Sequence, residues 1–339
     1  MTKEEAKIYY QHNYNFYSRL AENLKQALTS FLEENEIAYH SISYRIKEFN
    51  SYYEKIDRKN YNNPSEEIED FCGLRIICFY PEDLEKIGNI INKEFLVKES
   101  IDKSSKLEPD RFGYRSNHYI VTIKKEWAIA PNYRNLQEFK AEIQVRTILM
   151  HAWADLEHKL AYKKKEQIPE EFRRKLYQLS ALLEIADSQF QDLKSEKEIF
   201  KKSLVIDSLG EKTFDLNRNL NLDTFQAFLD FYFSNRIKDI DLTRDLLEEL
   251  TLYNIGLKEL YDNYSKLKPY LDKIELDTAG KNGKWAQVGV IRTILDILND
   301  NYFKDRVGKD IESNPSLMSQ RRVKGILDWR KRVKNNEIV

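Results

Sequence analysis

The feature that most constrains this chain is a change of hydrophobic period partway along it. Tyr17, Leu20, Leu24, Leu28 and Leu32 recur at helical spacing with Lys and Glu between them, which predicts helices over residues 1 to about 58. The Asn-rich stretch Asn60-Tyr61-Asn62-Asn63-Pro64-Ser65 then breaks regular structure. From Phe71 the apolar residues form short β-branched runs: Leu74 to Phe79, His118 to Ile123 and Phe139 to Val145, with Phe95 to Ile101 a weaker fourth. An apolar helix near Leu84 to Phe95 falls between the first two, and a long helix follows from Leu149 to about Lys165. Strands that can share one sheet, with helices on one of its faces, make an α+β domain.

Beyond Arg173 the pattern is almost wholly helical, first over Leu176 to Leu193 and then in amphipathic segments between Thr224 and Asn301. The Gly280-Lys281-Asn282-Gly283-Lys284 stretch interrupts this region, and a basic helix closes the chain. The expectation is two domains, residues 1–200 with a sheet and 201–339 all-helical, with the boundary near residues 200 to 215. Their combined 339 residues suffice for two separate cores.

Composition excludes several classes. Two cysteines, Cys72 and Cys78, sit inside one apolar run, a spacing that suits buried packing residues rather than a disulfide framework or a zinc cluster. No leader pattern opens the sequence, and no stretch approaches the roughly 20 apolar residues that cross a bilayer. The chain is therefore expected to be soluble and cytoplasmic. Acids and bases nearly cancel, at a net charge of −1, so an anion site must be local rather than a property of the whole surface.

In Phe139-Lys140-Ala141-Glu142-Ile143-Gln144-Val145-Arg146, alternation puts Glu142, Gln144 and Arg146 on one strand face. By itself that is equally the signature of a solvated amphipathic strand. Asp70 directly precedes Phe71-Cys72-Gly73-Leu74-Arg75-Ile76-Ile77, an apolar strand carrying one arginine that either snorkels to water or stacks on a purine. Phe112-Gly113-Tyr114-Arg115-Ser116-Asn117-His118 places an aromatic ring at the entrance to another strand. Lys47, Ser51 and Lys55 repeat at helical spacing after Arg45, so on a helix two ammonium groups would flank a hydroxyl. In Met150 to Lys163, His151, Asp155 and His158 are one turn apart but lack a zinc motif, so they read as polar residues facing a cleft.

The order and wording of these stretches resemble the RelA/SpoT synthetase family over roughly residues 40 to 190. The matching stretches are Arg45-Ile46-Lys47 with Ser51 and Lys55, Asp70 to Arg75, Gly113 to His118, Glu142 to Thr147, and Trp153-Ala154 through Glu157-His158 to Tyr162-Lys163. The resemblance implies a nucleotidyltransferase-like mixed sheet flanked by helices. It implies an ATP- and Mg²⁺-dependent pyrophosphokinase that moves the β,γ-pyrophosphate of ATP to the 3′-hydroxyl of GDP or GTP, making (p)ppGpp and releasing AMP. Arg45 and Arg75 would sandwich adenine; Lys47 and Lys55, with Ser51 between them, would serve the ATP phosphates; Asp70 and Glu142 would bind magnesium and carry the chemistry. Tyr114 would stack on the acceptor base, with His118, Gln144, Arg146 and His151 as further acceptor contacts.

The sequence departs from the family pattern in two places. Glu108-Pro109-Asp110-Arg111-Phe112 has only Arg111 where related synthetases often carry lysine, and His151 stands where many small synthetases have Asn or Asp. An alternative acceptor is the 3′ end of tRNA, as in toxic relatives, for which the basic helix with Arg321, Arg322, Lys324, Arg330, Lys331, Arg332 and Lys334 could engage phosphates. The same helix could equally pack through Val323, Leu327 and Trp329. A third reading is a non-catalytic nucleotide-sensing module. No upstream hydrolase domain is recognisable, so breakdown of the product is expected to be absent. The helical region leaves three roles open: capping the catalytic domain, homo-oligomerisation, or binding an antitoxin or trigger.

Overall fold

A computed structural model of the chain describes residues 2–59, 61, 67–102, 116–160, 169–208, 211–280, 283–308, 320–335 and 337. By internal contacts the chain divides into two units, Met1–Ser195 and Glu196–Val339. None of the described helices is long and apolar enough to cross a membrane.

The first unit opens with α1 (Lys3–Glu34), started by a capping box in which Thr2 and Glu5 satisfy each other's backbone N–H groups. Its buried stripe contains Tyr17, Leu20, Leu24, Leu28 and Leu32, as the helical spacing predicted. Glu36 takes a positive φ of 55° and the chain turns into β1 (Tyr39–Ile46). This strand corrects the expectation of continuous helix to residue 58. Ser41, Ser43 and Arg45 alternate with Ile42, Tyr44 and Ile46, a period of two that suits a pleated edge. The helical spacing of Lys47, Ser51 and Lys55 is correspondingly broken: α2 (Phe49–Lys59) holds Ser51 and Lys55, while Lys47 precedes it.

Next come β2 (Cys72–Cys78), α3 (Pro81–Glu94), β3 (Leu96–Asp102), β4 (Asn117–Thr122) and β5 (Ala141–Thr147). The sheet order is β1-β2-β5-β4-β3. The β2–β5 pair is parallel and the other pairs are antiparallel, so the sheet is mixed. Its apolar face carries Ile42, Cys72, Leu74, Ile76, Cys78, Ile143, Val145, Tyr119 and Val121 into one core with the α1 leucines and with Ile87 and Ile91 of α3. Both cysteines are free and buried there.

From β5 the chain enters α4 (Ile148–Leu160), and later α5 (Glu170–Ser203). Polar links hold α5 to the sheet domain. Gln191 Nε2 donates to Glu82 Oε2 at 2.9 Å, with Lys194 also paired to Glu82 at the start of α3. Asp187, 4% exposed, accepts a 2.5 Å hydrogen bond from the Thr147 hydroxyl, which itself accepts from the Met150 N–H at 3.1 Å in the first turn of α4.

The second unit, taken by itself, contains a two-stranded hairpin, β6 (Val205–Ser208) with β7 (Glu211–Phe214), so the expected all-helical region is mostly helical instead. Val205-Ile206 and Lys212-Thr213-Phe214 are the β-branched and aromatic runs that prefer pleated backbone. The helices α6 (Leu222–Tyr232), α7 (Ile240–Leu252), α8 (Leu257–Leu267), α9 (Leu271–Ala279), α10 (Gln287–Leu298) and α11 (Gln320–Lys334) follow. Buried nearly all round, α10 is the helix on which α6, α7, α8 and α11 pack.

Four arginines of α11 make contacts inside this unit. Arg321 donates to the Leu276 carbonyl at 2.8 Å, closing the C-terminal turn of α9. Arg322 lies over Trp285 and Arg332 over Trp329, while Arg330, 8% exposed, binds the Asp296 and Ile297 carbonyls and Asp300. Packing runs through Ile326 and Trp329, whereas Leu327 is 39% exposed, a correction to the face expected from sequence.

Burial pushes the Asp187 carboxyl up to about 7, against an unfolded value of about 3.9. A raised acid binds its proton more tightly when folded, so its contribution is complete below pH ~4 and is lost as pH rises through ~7. In Asp187→Asn, which keeps an acceptor for Thr147, that loss should vanish. Urea-unfolding free energies should therefore show the variant gaining on wild type from pH 5 to pH 8; a constant difference would show that Asp187 does not ionise in this range.

Candidate functional site

The polar face of the sheet is lined by whatever the strand register brings side by side. Arg45 pairs with Gly73, and Gly73 with Glu142. The next row is Ser43, Arg75, Gln144 and His118. Directly paired residues share a sheet face, so Arg45, Arg75, Glu142, Gln144 and His118 project the same way. A cavity of about 340 Å³ opens on this face, lined by Arg45, Lys47, Asp70, Gly73, Arg75, Glu142 and Gln144 among others. At Gly73 the floor between Arg45 and Glu142 bears no side chain. A Cβ there would meet only the Arg45 carbonyl oxygen, at 3.8 Å, so backbone sterics do not require glycine; what glycine provides is depth.

Lys47 and Lys55 converge on Asp70. The Lys47 N–H donates to the Phe71 carbonyl at 2.9 Å, tying the end of β1 to the entrance of β2. Lys47 Nζ then reaches Asp70 Oδ2 at 2.6 Å, and Lys55 Nζ, from α2, lies 2.9 Å from Oδ1. Burial alone would raise the Asp70 carboxyl, but the two ammonium groups outweigh it and hold the carboxyl below its usual range.

Glu142 is held from both sides. His118 Nδ1 lies 2.6 Å from Oε1, Gln144 Nε2 donates to Oε2 at 3.0 Å, and Arg146 Nη2 donates to Gln144 Oε1 at 2.8 Å. Here too burial opposes ionisation, and the His118 and Gln144 contacts prevail, so the carboxyl sits below its usual range although Asp70 repels it. That repulsion places the two carboxylates in one electrostatic neighbourhood. Two hard oxygen donors facing a common cavity suit a small divalent cation whose remaining ligands come from phosphate and water.

A second cluster forms where α4 returns to β2. Asp155 lies 3.9 Å from Arg75 Nη1 and 3.6 Å from His151 Nδ1. Burial, with the charges of Arg75 and Arg146, lowers His151 below the ordinary imidazole value despite Asp155. Arg45, Lys47, Lys55, Arg75 and Arg146 face Asp70, Glu142 and Asp155, a local excess of two positive charges in a chain of net charge −1. Among the described residues, this surplus of positive charge favours an anion over a cation of equal size.

Of the residues expected from sequence, Arg45, Lys47, Asp70, Arg75, Glu142 and Gln144 line the cavity. Lys55 reaches it through Asp70, and Arg146 through Gln144. Ser51 is exposed on α2 and does not line the cavity. His118 is 6% exposed, behind Glu142. Tyr114 lies outside the described residues. Sequence reasoning missed Ser116, whose hydroxyl is 2.6 Å from His118 Nε2, and the buttress Asp187. For Ser116 a signal existed, since it is two residues from His118 on the same strand-facing side.

A family model described as a region found in RelA/SpoT proteins matches residues 44–167. Among characterised proteins, the chain is similar to the GTP pyrophosphokinase YwaC of Bacillus subtilis, 32% identical over 157 residues, or 45% of this chain and 72% of that protein. It is also similar to the GTP pyrophosphokinase YjbM of the same organism, 29% identical over 190 residues, 53% of this chain and 86% of that protein. Among solved structures, the small alarmone synthetase 2 of Bacillus subtilis aligns over 55% of this chain and 98% of its own, at 27% identity and a TM-score of 0.47.

The paired lysines predict a measurable shift. Lys55→Met leaves Asp70 with one ammonium group, so its carboxyl should titrate at higher pH than in wild type. Carbon-13 NMR of the labelled carboxyl checks this, and an unchanged midpoint would show that Lys55 does not act on Asp70.

Proposed function

This chain belongs to the RelA/SpoT family, and from that premise we propose that it is a pyrophosphokinase transferring the β,γ-pyrophosphate of ATP to the 3′-hydroxyl of GDP or GTP, with AMP released. The observation that carries the reading is Asp70 and Glu142 on one cavity beside two arginines and two lysines.

Arg45 and Arg75 are diagonal neighbours across β1 and β2, a separation of about 7–8 Å. That is close to twice the roughly 3.5–4.0 Å of van der Waals stacking, so a planar adenine fits between two guanidinium faces. Lys47 and Lys55 are positioned to exchange Asp70 for the ATP phosphates. Mg²⁺ held by Asp70 and Glu142 would neutralise phosphate charge, the principal requirement of phosphoryl-type transfer. The acceptor 3′-oxygen forms a bond to the β-phosphorus as the bond from that phosphorus to the α,β-bridging oxygen breaks. The bonding pair leaves with AMP, and the hydroxyl proton passes to Glu142. Tyr114 is assigned to the acceptor base, with Gln144, Arg146 and His151 toward its phosphates.

GDP or GTP is favoured over tRNA because four arginines of α11 hold carbonyls or indole rings within their own unit, with Arg330 buried there, which gives the basic residues of this helix a structural role. Incubation with labelled ATP and GDP, GTP or bulk tRNA should put label on the guanosine nucleotide. Label on RNA alone would establish the other acceptor, and no label would establish a sensing module. Glu142→Gln should lower transfer by at least ~10²-fold without loss of folded structure by circular dichroism; unchanged turnover would refute its role. Gly73→Val should weaken ATP binding by about 10-fold or more, a loss of ~1.4 kcal/mol, with little change in melting temperature, since its branched side chain suits a strand and fills the cavity floor.

A further inference from the structure

We propose that Ser116 and His118 are positioning residues for Glu142, a Ser–His–Glu chain that aims the carboxylate from behind, and that His118 does not touch the acceptor nucleotide. The proposal rests on the pyrophosphokinase reading for its kinetic consequences, while its structural core stands without it.

The argument starts from burial and the number of available contacts. His118 and Ser116 are 6% and 7% exposed, and both imidazole nitrogens are engaged, Nδ1 with Glu142 Oε1 and Nε2 with Ser116 Oγ, each at 2.6 Å. An imidazole with both nitrogens committed inside the protein has none left for a ligand. An ionised carboxylate only accepts hydrogen bonds, so Nδ1 carries the proton that faces Glu142. In the neutral ring Nε2 is then an acceptor, and the Ser116 hydroxyl is the donor that fixes this tautomer.

The chain therefore runs one way, from Ser116 O–H to His118 and from His118 N–H to Oε1. A second runs from Arg146 through the Gln144 amide to Oε2. Glu142 is where both chains end, so each of its oxygens is fixed by one donor and keeps lone pairs for the cavity. Strand geometry makes this arrangement available: His118 sits opposite Gln144 in the β4–β5 register and Ile120 opposite Glu142, which aims the ring diagonally at the carboxylate. A partner behind a reacting carboxylate fixes orientation and tautomer in the way outer-shell groups do around metal ligands.

The test uses the full-length chain with ¹⁵N-labelled histidine, the His118 signal being assigned by its loss in His118→Asn. In wild type, long-range ¹H–¹⁵N correlation should show the Nδ1–H tautomer, and Ser116→Ala should disturb it; neither result depends on activity. With labelled ATP, Ser116→Ala should lower kcat by about 10-fold or more while leaving KM for the guanosine nucleotide unchanged. Asn keeps a donor where Nδ1 stands, so His118→Asn should retain more activity than His118→Gln or His118→Ala. An Nε2–H tautomer in wild type overturns the proposal. So does a rise in acceptor KM at constant kcat in Ser116→Ala or His118→Asn, which would make His118 a nucleotide contact. If no acceptor is labelled by wild type, the pyrophosphokinase reading fails, and the tautomer measurement still decides the Ser–His–Glu chain.

Discussion

The parallel pairing of β2 with β5 is the constraint on which the rest of the first unit depends. Parallel neighbours cannot be joined by a tight turn, and here the connection carries α3, β3 and β4 before β5 returns beside β2. That detour inserts β5 between β2 and β4. It is the reason Glu142 and Gln144 have Gly73 and Arg75 on one side and Ile120 and His118 on the other. A sheet that closed as a simple meander would carry the same side chains and make no cavity of this composition.

The polar face so built is costly in isolation, because Asp70 and Glu142 are largely withdrawn from water and repel each other. The protein meets that cost differently at the two positions. Asp70 receives direct charge from Lys47 and Lys55, groups whose long side chains can move to a phosphate. Glu142 receives directed hydrogen bonds from His118 and Gln144, groups fixed by the strands that bear them. One carboxylate has partners on long flexible side chains, and the other has partners held by the strands that bear them.

In the second unit, several residues of a basic helix serve packing. A run of arginine and lysine on a closing helix reads as a phosphate surface, yet α11 directs Arg321 to the end of α9, Arg330 to buried carbonyls and Arg322 and Arg332 onto indole rings. Arginine serves such roles because its planar guanidinium caps carbonyls and stacks on aromatics. Net charge on a helix counts its side chains but not where they end.

Local period determined much of what was legible. The apolar stripe of α1, the strands near Leu74, His118 and Ala141, the burial of Cys72 and Cys78, and the shared face of Glu142, Gln144 and Arg146 all follow from side-chain alternation along a few residues. Wording of the motifs determined which residues to expect together, and six of them line one cavity. Tertiary structure alone decided that Arg45 stands on an edge strand rather than a helix, that Ser51 is exposed outside the cavity lining, that His118 is buried against Glu142, and that Asp187 meets Thr147. The physical reason is that period fixes the direction of a side chain relative to its own element. Its neighbours are set by pairing and packing between elements far apart in the chain, to which no local window has access.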